Sequence, residues 1–317
     1  IPGHYYSSYP SLNHWTEDFG VAEYERAFVD FLDTGKPLHL YIHIPFCAKL
    51  CWYCICNLTV TNDREKIKLF VSHLLKEIDN LKDFGRKLDK PINIREVHFG
   101  GGTPSHLTQE EFSQLCNGLK SIVDLSKCDE VAMEIDPRTV NRDDLRHYAS
   151  CGVTRISFGV QDFDLKVQEA INRVQPPEMI EELLKSRGLF KGVNFDLLYG
   201  LPYQSLDTVR ETVERTKQMA PDRNTLLKYC HAPEVRRHMK LIKEETLPSP
   251  DQLPVMFCQT ADSLMDFGYE WVGLDHFALP HDTLAKAQRE GTLVRTFNGF
   301  KPGPTKDMIG LGPTATA

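Results

Sequence analysis

Cys47, Cys51, Cys54 and Cys56 fall within ten residues, in the stretch FCAKLCWYCICN. The first three are spaced C-x3-C-x2-C, and a loop can wrap three thiolates onto one metal assembly at that spacing. Four-cysteine zinc sites usually come as two separated pairs. The other cysteines, Cys116, Cys128, Cys151, Cys230 and Cys258, supply no second pair. Three thiolates suit a [4Fe-4S] cluster that keeps one iron open for an outside ligand, whereas electron-transfer clusters use four. A zinc site with Cys56 as fourth ligand is the alternative on spacing alone. The remaining five cysteines read most simply as small buried hydrophobes.

Such a loop needs a scaffold, and 317 residues are enough to bury a large core. Short apolar runs alternate with helical patterns. LHLYIHI, IREVHFGGG, EVAMEIDP, VTRISFGVQ, VNFDLLYGLP and TLLKYCHAP read as strands, and YEWVGLDHF as a further one. Between the first two, Ile67, Phe70, Leu74, Ile78 and Leu81 share one helical face, and Thr108 with Glu111 predicts a capping box. Strands alternating with helices imply parallel pairing with right-handed crossovers. About six such units make a partial (β/α) barrel, whose chemistry sits where strands end. Cys47, the glycines 100–102, Glu134, Gln161 and Asp196 all fall at or just after expected strand ends.

The net charge of -7, from 37 basic and 44 acidic residues, argues against general nucleic-acid binding. It leaves room for an anionic small molecule held by a local basic pocket. No apolar run approaches the roughly 20 residues of a membrane span. The start, IPGHYYSSYP, lacks the charged and apolar regions of a signal peptide. A cytoplasmic protein without membrane or nucleic-acid partners is expected, acting as a monomer.

The cysteine motif, with Tyr53 before its last cysteine, resembles the signature of radical S-adenosylmethionine enzymes. The longer stretch YIHIPFCAKLCWYCICN is similar to the oxygen-independent coproporphyrinogen III oxidases, as are HFGGGTPSHL, MEIDPR, SFGVQDF, INRVQ, FDLLYGLP, LPSP, GLDHFA and AQREGTL. The resemblance runs from about Tyr5 to the end. It implies a partial (β/α)6 barrel of the TIM-like type over residues 38–275, an N-terminal arm over 1–37, and an extension over 276–317. That extension is expected to lead into a helical C-terminal domain that family members carry and this chain lacks.

The resemblance further implies that Cys47, Cys51 and Cys54 hold the cluster, whose open iron is chelated by S-adenosylmethionine. An electron from the cluster then releases a 5′-deoxyadenosyl radical. Tyr41, Gly101, Gly102, Thr103, Glu134, Gln161, Arg173 and Asp196 match positions that contact that cofactor. Tyr53, Gly102, Thr103, Gln161, Arg173, Asp196, Cys230 and Thr316 align with positions associated with a second molecule of it. Tyr41 and Cys56 are the implied catalytic residues; the C-x-C step from Cys54 makes Cys56 awkward as a fourth ligand, and related heme chaperones usually lack it. The expected reaction is oxidative decarboxylation of a tetrapyrrole, two propionates becoming vinyls, with an external electron donor. A heme chaperone or a radical enzyme on another substrate is the alternative. For the substrate's four carboxylates the expected cations are Arg236, Arg237 and Arg289. His43, His98 and His276 sit in the same motifs.

Overall fold

The computed structural model describes residues 16, 18–296, 299–304 and 307–315. Helix α1 (Val21–Asp33) leads into strand β1 (Leu38–Ile44). The short strands β2 (Phe46–Cys47) and β3 (Thr59–Val60) bracket the cysteine loop. Then strands and helices alternate: α2 (Arg64–Lys87), β4 (Ile94–Gly101), α3 (Gln109–Leu119), β5 (Glu130–Ile135), α4 (Arg142–Ser150), β6 (Arg155–Gln161) and the short α5 (Leu165–Ala170). They continue as α6 (Pro177–Leu184), β7 (Gly192–Tyr199), α7 (Leu206–Met219), β8 (Arg223–Lys228) and α8 (Gln252–Phe267). The end holds β9 (Glu270–Gly273), β10 (His276–Ala278), α9 (Thr283–Arg289), β11 (Leu293–Thr296), β12 (Gly299–Pro302) and β13 (Asp307–Leu311).

Among the described residues, nine strands form one sheet in the order β13-β1-β4-β5-β6-β7-β8-β10-β9. Neighbours from β13 through β8 pair in parallel. The series β1, β4, β5, β6, β7, β8 is the expected six-stranded parallel run. The expected last strand instead splits into an antiparallel hairpin, β9 and β10, that caps the run beside β8. The split occurs at Gly273 and Leu274, both at positive φ (149° and 48°), where the chain turns back; glycine meets this at little cost. The sheet also extends past residue 275, since β10 and β13 belong to it. The outermost strands β13 and β9 do not pair, so the barrel is open.

Alternation along each strand sorts side chains to two faces. One face, with Leu40, Ile42, Val97, Phe99, Val131, Met133, Ile156, Phe158, Val193 and Phe195, is buried against the helices. Helix α2 meets it with Ile67, Val71, Leu74 and Ile78, while Phe70 and Leu81 are partly buried at its margin. Each fully buried side chain of this kind contributes roughly 1.5–3 kcal/mol. Asp63 starts α2 by accepting from the backbone N–H of Glu65 and Lys66. The capping box of α3 forms as expected: Thr108 Oγ1 accepts from Glu111 N at 3.2 Å, and Glu111 Oε2 accepts from Thr108 N at 2.8 Å.

The other face is polar and surrounds a cavity of about 810 Å³, lined by Tyr41, His98, Glu130, Glu134, Arg155, Ser157, Asn194, Asp196, Arg223 and Thr225 among others. At the N-terminal ends of the strands this lumen is closed by paired charges. Arg155 donates to Glu130 (2.7 Å) and Asp282 (2.8 Å), and Arg223 donates to Asp282 (2.7 Å) and Glu130 (3.2 Å). Lys301 of β12 reaches Glu96 at 3.3 Å. Burial pushes the Glu130 carboxyl up, but Arg223, Arg155 and Lys301 outweigh it and hold the group well below the usual carboxylate range. Buried charges persist when paired in this way.

Candidate active site

The C-terminal ends of the strands carry the opposite arrangement. The loop that follows β1 is closed at its base by Thr59 N donating to Pro45 O (2.6 Å) and Thr61 N donating to Cys47 O (3.1 Å). It is then tied down from several sides. Trp52 N donates to Ile171 O (3.0 Å), and Asn172 Nδ2 donates to Leu50 O (2.8 Å). Arg236 donates to Ile55 O (3.0 Å) and Asn57 Oδ1 (2.6 Å), and His238 Nε2 donates to Cys54 O (2.7 Å). His43 Nε2 donates to Asn57 O at 3.0 Å. That bond fixes the tautomer, so Nδ1 accepts from the Tyr41 hydroxyl at 3.2 Å.

Held like this, Cys47, Cys51, Cys54 and Cys56 line a cavity of about 370 Å³. Tyr53, Gly101, Gly102, Thr103, Glu134, Gln161, Arg173, Asp196 and Cys230 line it too. Tyr41 lies next door, on the wall of the lumen cavity, and the two spaces share Glu134, Ser157, Asp196, Leu227 and Lys228. Thr316 falls outside the described residues. A Cβ on Gly102 would stand 2.8 Å from the Pro45 carbonyl carbon, and Gly101 adopts φ +113°, so this turn brings bare backbone to the cavity wall.

The thiols differ in surroundings. Cys47 and Cys51 are buried, Cys54 is half-buried and Cys56 is exposed. Burial pushes the Cys47 thiol up to about 11, opposed by its 3.1 Å hydrogen bond with Thr103 Oγ1. A hydrogen bond between the Cys54 and Cys56 thiols pushes Cys54 up and Cys56 down. Cys51 faces two guanidinium groups, Arg138 Nη2 at 3.4 Å and Arg173 Nη1 at 3.5 Å. Asp136 accepts from both, at 2.7 Å from Arg138 Nη2 and 3.2 Å from Arg173 Nη1. Burial pushes the Asp136 carboxyl up, and the two arginines more than offset it.

Glu134 accepts from His98 Nε2 at 2.9 Å. Asp196 accepts from Ser157 (2.7 Å) and Asn194 (2.8 Å), and its carboxyl is raised by burial and by the nearby Glu134 charge. Gln161 is buried at φ +66°, a left-handed conformation that costs a non-glycine residue of order 1–3 kcal/mol and marks functional sites. Arg173 leaves its buried Nε without a hydrogen-bond partner.

The arginines expected to hold substrate carboxylates do not face these cavities. Arg236 is engaged with the cysteine loop, Arg237 is exposed at the start of a 3-10 turn, and Arg289 pairs with Glu270 and with Pro280 O (2.7 Å). The cations that line the lumen are Arg155, Arg223, Lys228, Arg295 and Lys301. Sequence reading also passed over Asp136, Arg138, Ser157 and Lys228. Asp136 and Arg138 lie in the quoted MEIDPR run and Ser157 in SFGVQDF, so the signal was present but unassigned; Lys228 lies in the strand TLLKYCHAP, two residues before Cys230.

Among the described residues, no three His, Cys, Asp or Glu side chains gather closely enough to hold a single metal ion. Thiols spread around one cavity, with cationic donors aimed at a sulfur and an adjoining wall of bare backbone, fit a multi-iron cluster beside a polar organic cofactor.

The sequence profile of the Radical SAM superfamily matches residues 41–216. The chain is 38% identical to the oxygen-independent coproporphyrinogen III oxidase of Pseudomonas aeruginosa, over 99% of this chain and 69% of that protein. It is also 38% identical to the enzyme of that name from Escherichia coli, over 98% of this chain and 67% of that one. It thus spans about two thirds of these relatives' length. A solved structure titled coproporphyrinogen III oxidase (HemN) from Escherichia coli, a radical SAM enzyme, superposes with a TM-score of 0.92 at 37% identity, covering 98% of this chain and 71% of that one. The chain belongs to the radical SAM superfamily and, within it, to the oxygen-independent coproporphyrinogen III oxidase family, whose cofactors are a [4Fe-4S] cluster and S-adenosylmethionine.

Proposed function

We propose that this protein converts coproporphyrinogen III to protoporphyrinogen IX without oxygen, turning two propionate side chains into vinyl groups. The observation that carries this reading is the shared wall. The cysteine-lined cavity of about 370 Å³ opens along Glu134, Ser157, Asp196, Leu227 and Lys228 onto a lumen of about 810 Å³. Cofactor space and tetrapyrrole-sized space thus meet at a few side chains.

In this reading Cys47, Cys51 and Cys54 hold the cluster. Tyr41, Gly101, Gly102, Thr103, Glu134, Gln161, Arg173 and Asp196 hold S-adenosylmethionine, and Tyr53 and Cys230 would meet a second molecule of it. Bound there, the two cofactors supply one-electron reduction and hydrogen-abstracting radical chemistry. The protein's own part is placement. His98 orients Glu134 for ribose hydroxyls, and Arg173 offers a fork of donors to a carboxylate. Lys228, exposed on the shared wall, makes no ion pair among the described residues and gives a substrate propionate a cationic partner. Cys56 lies at the same cavity, near the reacting carbon. Each vinyl requires loss of one hydrogen, one electron and carbon dioxide, so an external acceptor takes that electron and an external donor reduces the cluster. The enzyme is read as a cytoplasmic monomer, with residues 38–275 as the catalytic barrel. No helix of the described residues is long and apolar enough to cross a membrane.

The test is an anaerobic assay with coproporphyrinogen III, S-adenosylmethionine and a strong reductant, following 5′-deoxyadenosine and protoporphyrinogen together. Both should accumulate. Cofactor cleavage without any decarboxylation would overturn the oxidase reading in favour of a heme chaperone or another substrate.

A further inference from the structure

The three candidate ligand thiols are not equivalent. Cys47 meets the Thr103 hydroxyl, and Cys54 meets the Cys56 thiol group. Cys51 meets two cations. One of them, Arg173, is buried and also donates to Gly159 O at 2.7 Å; it belongs to the cofactor site proposed above. The other, Arg138, is assigned no role by that site. It sits on the 3-10 turn after β5, where Asp136 caps the turn by accepting from Arg138 N at 3.1 Å. The same carboxylate accepts from Arg138 Nε (3.0 Å) and Nη2 (2.7 Å), which fixes the guanidinium plane. Nη1 donates to Asn172 O at 3.4 Å. With the guanidinium anchored in this way, Nη2 donates one hydrogen to Asp136 and directs the other at the Cys51 sulfur at 3.4 Å. Its outer side lines a separate small cavity with Ala48, Lys49, Thr139, Asn172 and Val174.

We propose that Arg138 is a positioning residue that tunes the cluster: by donating to the Cys51 sulfur it raises the reduction potential of that centre. The inference rests on Cys51 being a cluster ligand. Its physics is that reduction adds one negative charge to the cluster. Hydrogen bonds to a ligand sulfur, and a positive charge beside it, stabilise the more negative state. Asp136 balances one of the two guanidinium charges, so a net positive charge remains over Cys51. Among the described residues Cys47 and Cys54 have no such cationic partner, so the effect is directed to one corner of the site.

The experiment is an anaerobic redox titration of the reconstituted holoprotein, read by electron paramagnetic resonance, on the native chain, Arg138→Gln, Arg138→Lys and Arg142→Gln. Arg142 is a surface cation paired with Glu182, so its removal controls for loss of charge as such. Arg138→Gln should keep native iron and sulfide content with a midpoint shifted to more negative potential. Arg138→Lys should shift less, and Arg142→Gln not at all. A native midpoint in Arg138→Gln overturns the inference, as does an equal shift in the Arg142→Gln control. Should Arg138→Gln fail to assemble, the native holoprotein grown with ¹⁵N-arginine decides. Its reduced cluster should show weak couplings to two classes of arginine nitrogen, falling to one in Arg138→Lys, and a native spectrum without them overturns the inference. A native protein that takes up no cluster, or keeps it in Cys51→Ala, instead brings down the ligand assignment on which the inference stands.

Discussion

The two ends of the barrel are built from the same strands and treat charge in opposite ways. At the N-terminal end Glu130, Arg155, Arg223, Asp282, Glu96 and Lys301 neutralise one another in ion pairs, with Arg155 Nη1 and Glu96 Oε2 left without a hydrogen bond. At the C-terminal end polar groups line two adjoining cavities. Arg173 keeps a buried N–H unpartnered, Gln161 holds a strained backbone, and Lys228 stands unpaired among the described residues at the shared wall. The closed end resembles a finished core, and the open end a core with pieces withheld. Where the chain pairs its own charges, mutation should register as stability; where polar groups face the cofactor cavity, it should register as binding.

The comparison breaks most visibly at the cysteines. Cys47→Ala, Cys51→Ala or Cys54→Ala should each abolish cluster absorbance after anaerobic reconstitution, with thermal unfolding of the metal-free protein little changed. Cys56→Ala should retain the cluster; equal loss there would mean that four thiols are ligands. At the closed end, Asp282→Ala leaves Arg155 and Arg223 with Glu130 alone between them, one buried positive charge uncompensated, and should cost about 3–5 kcal/mol in urea unfolding. A value near zero would show that the charge lattice is dispensable.

At the open end, Glu134→Ala should weaken S-adenosylmethionine binding by about 1–3 kcal/mol, the cost of leaving its partners unpaired, measured by calorimetry on the cluster-loaded protein. Unchanged binding would remove Glu134 from the site. A subtler contrast is with pH. Glu130 is held well below its ordinary 4.5 in the folded state, so its contribution is fully present above that value and is lost as the pH falls toward the folded one. Glu130→Gln should therefore flatten the acid limb of the stability profile; parallel limbs in the two proteins would contradict this. The smallest effect is expected away from both ends. Thr108→Ala removes a helix cap, at about 1 kcal/mol, with cofactor binding unaltered.

Much of the open end was legible in sequence because its residues sit in local motifs. The cysteine spacing, the glycine turn and Glu134 each follow a strand that reads clearly from its apolar alternation, and the structure brings them to one cavity. The closed end was not legible. Arg155, Arg223, Asp282 and Lys301 come from distant parts of the chain, and no spacing rule links them; each alone resembles a surface charge. The same limit explains the misplaced substrate arginines. Arg236 and Arg289 lie beside strong motifs, yet their partners, Ile55 O, Asn57, Glu270 and Pro280 O, are fixed by tertiary contact. The β9–β10 hairpin was read as one strand although Gly273 marks its turn; the second residue of the reversal, Leu274, is a non-glycine in a left-handed conformation that composition does not announce.

One pairing has a consequence in time. Strand β13 lies against β1 in parallel, Leu38 opposite Asp307 and Ile42 opposite Leu311. During synthesis β1 and the cysteine loop leave the ribosome early, while residues 307–311 arrive near the end of this stretch of chain. Until then β1 presents an uncovered edge, the kind that recruits other strands. The stretch that launches the cysteine loop is therefore made well before the strand that seals its edge, and a newborn chain stalled in between would be poised to aggregate through that edge.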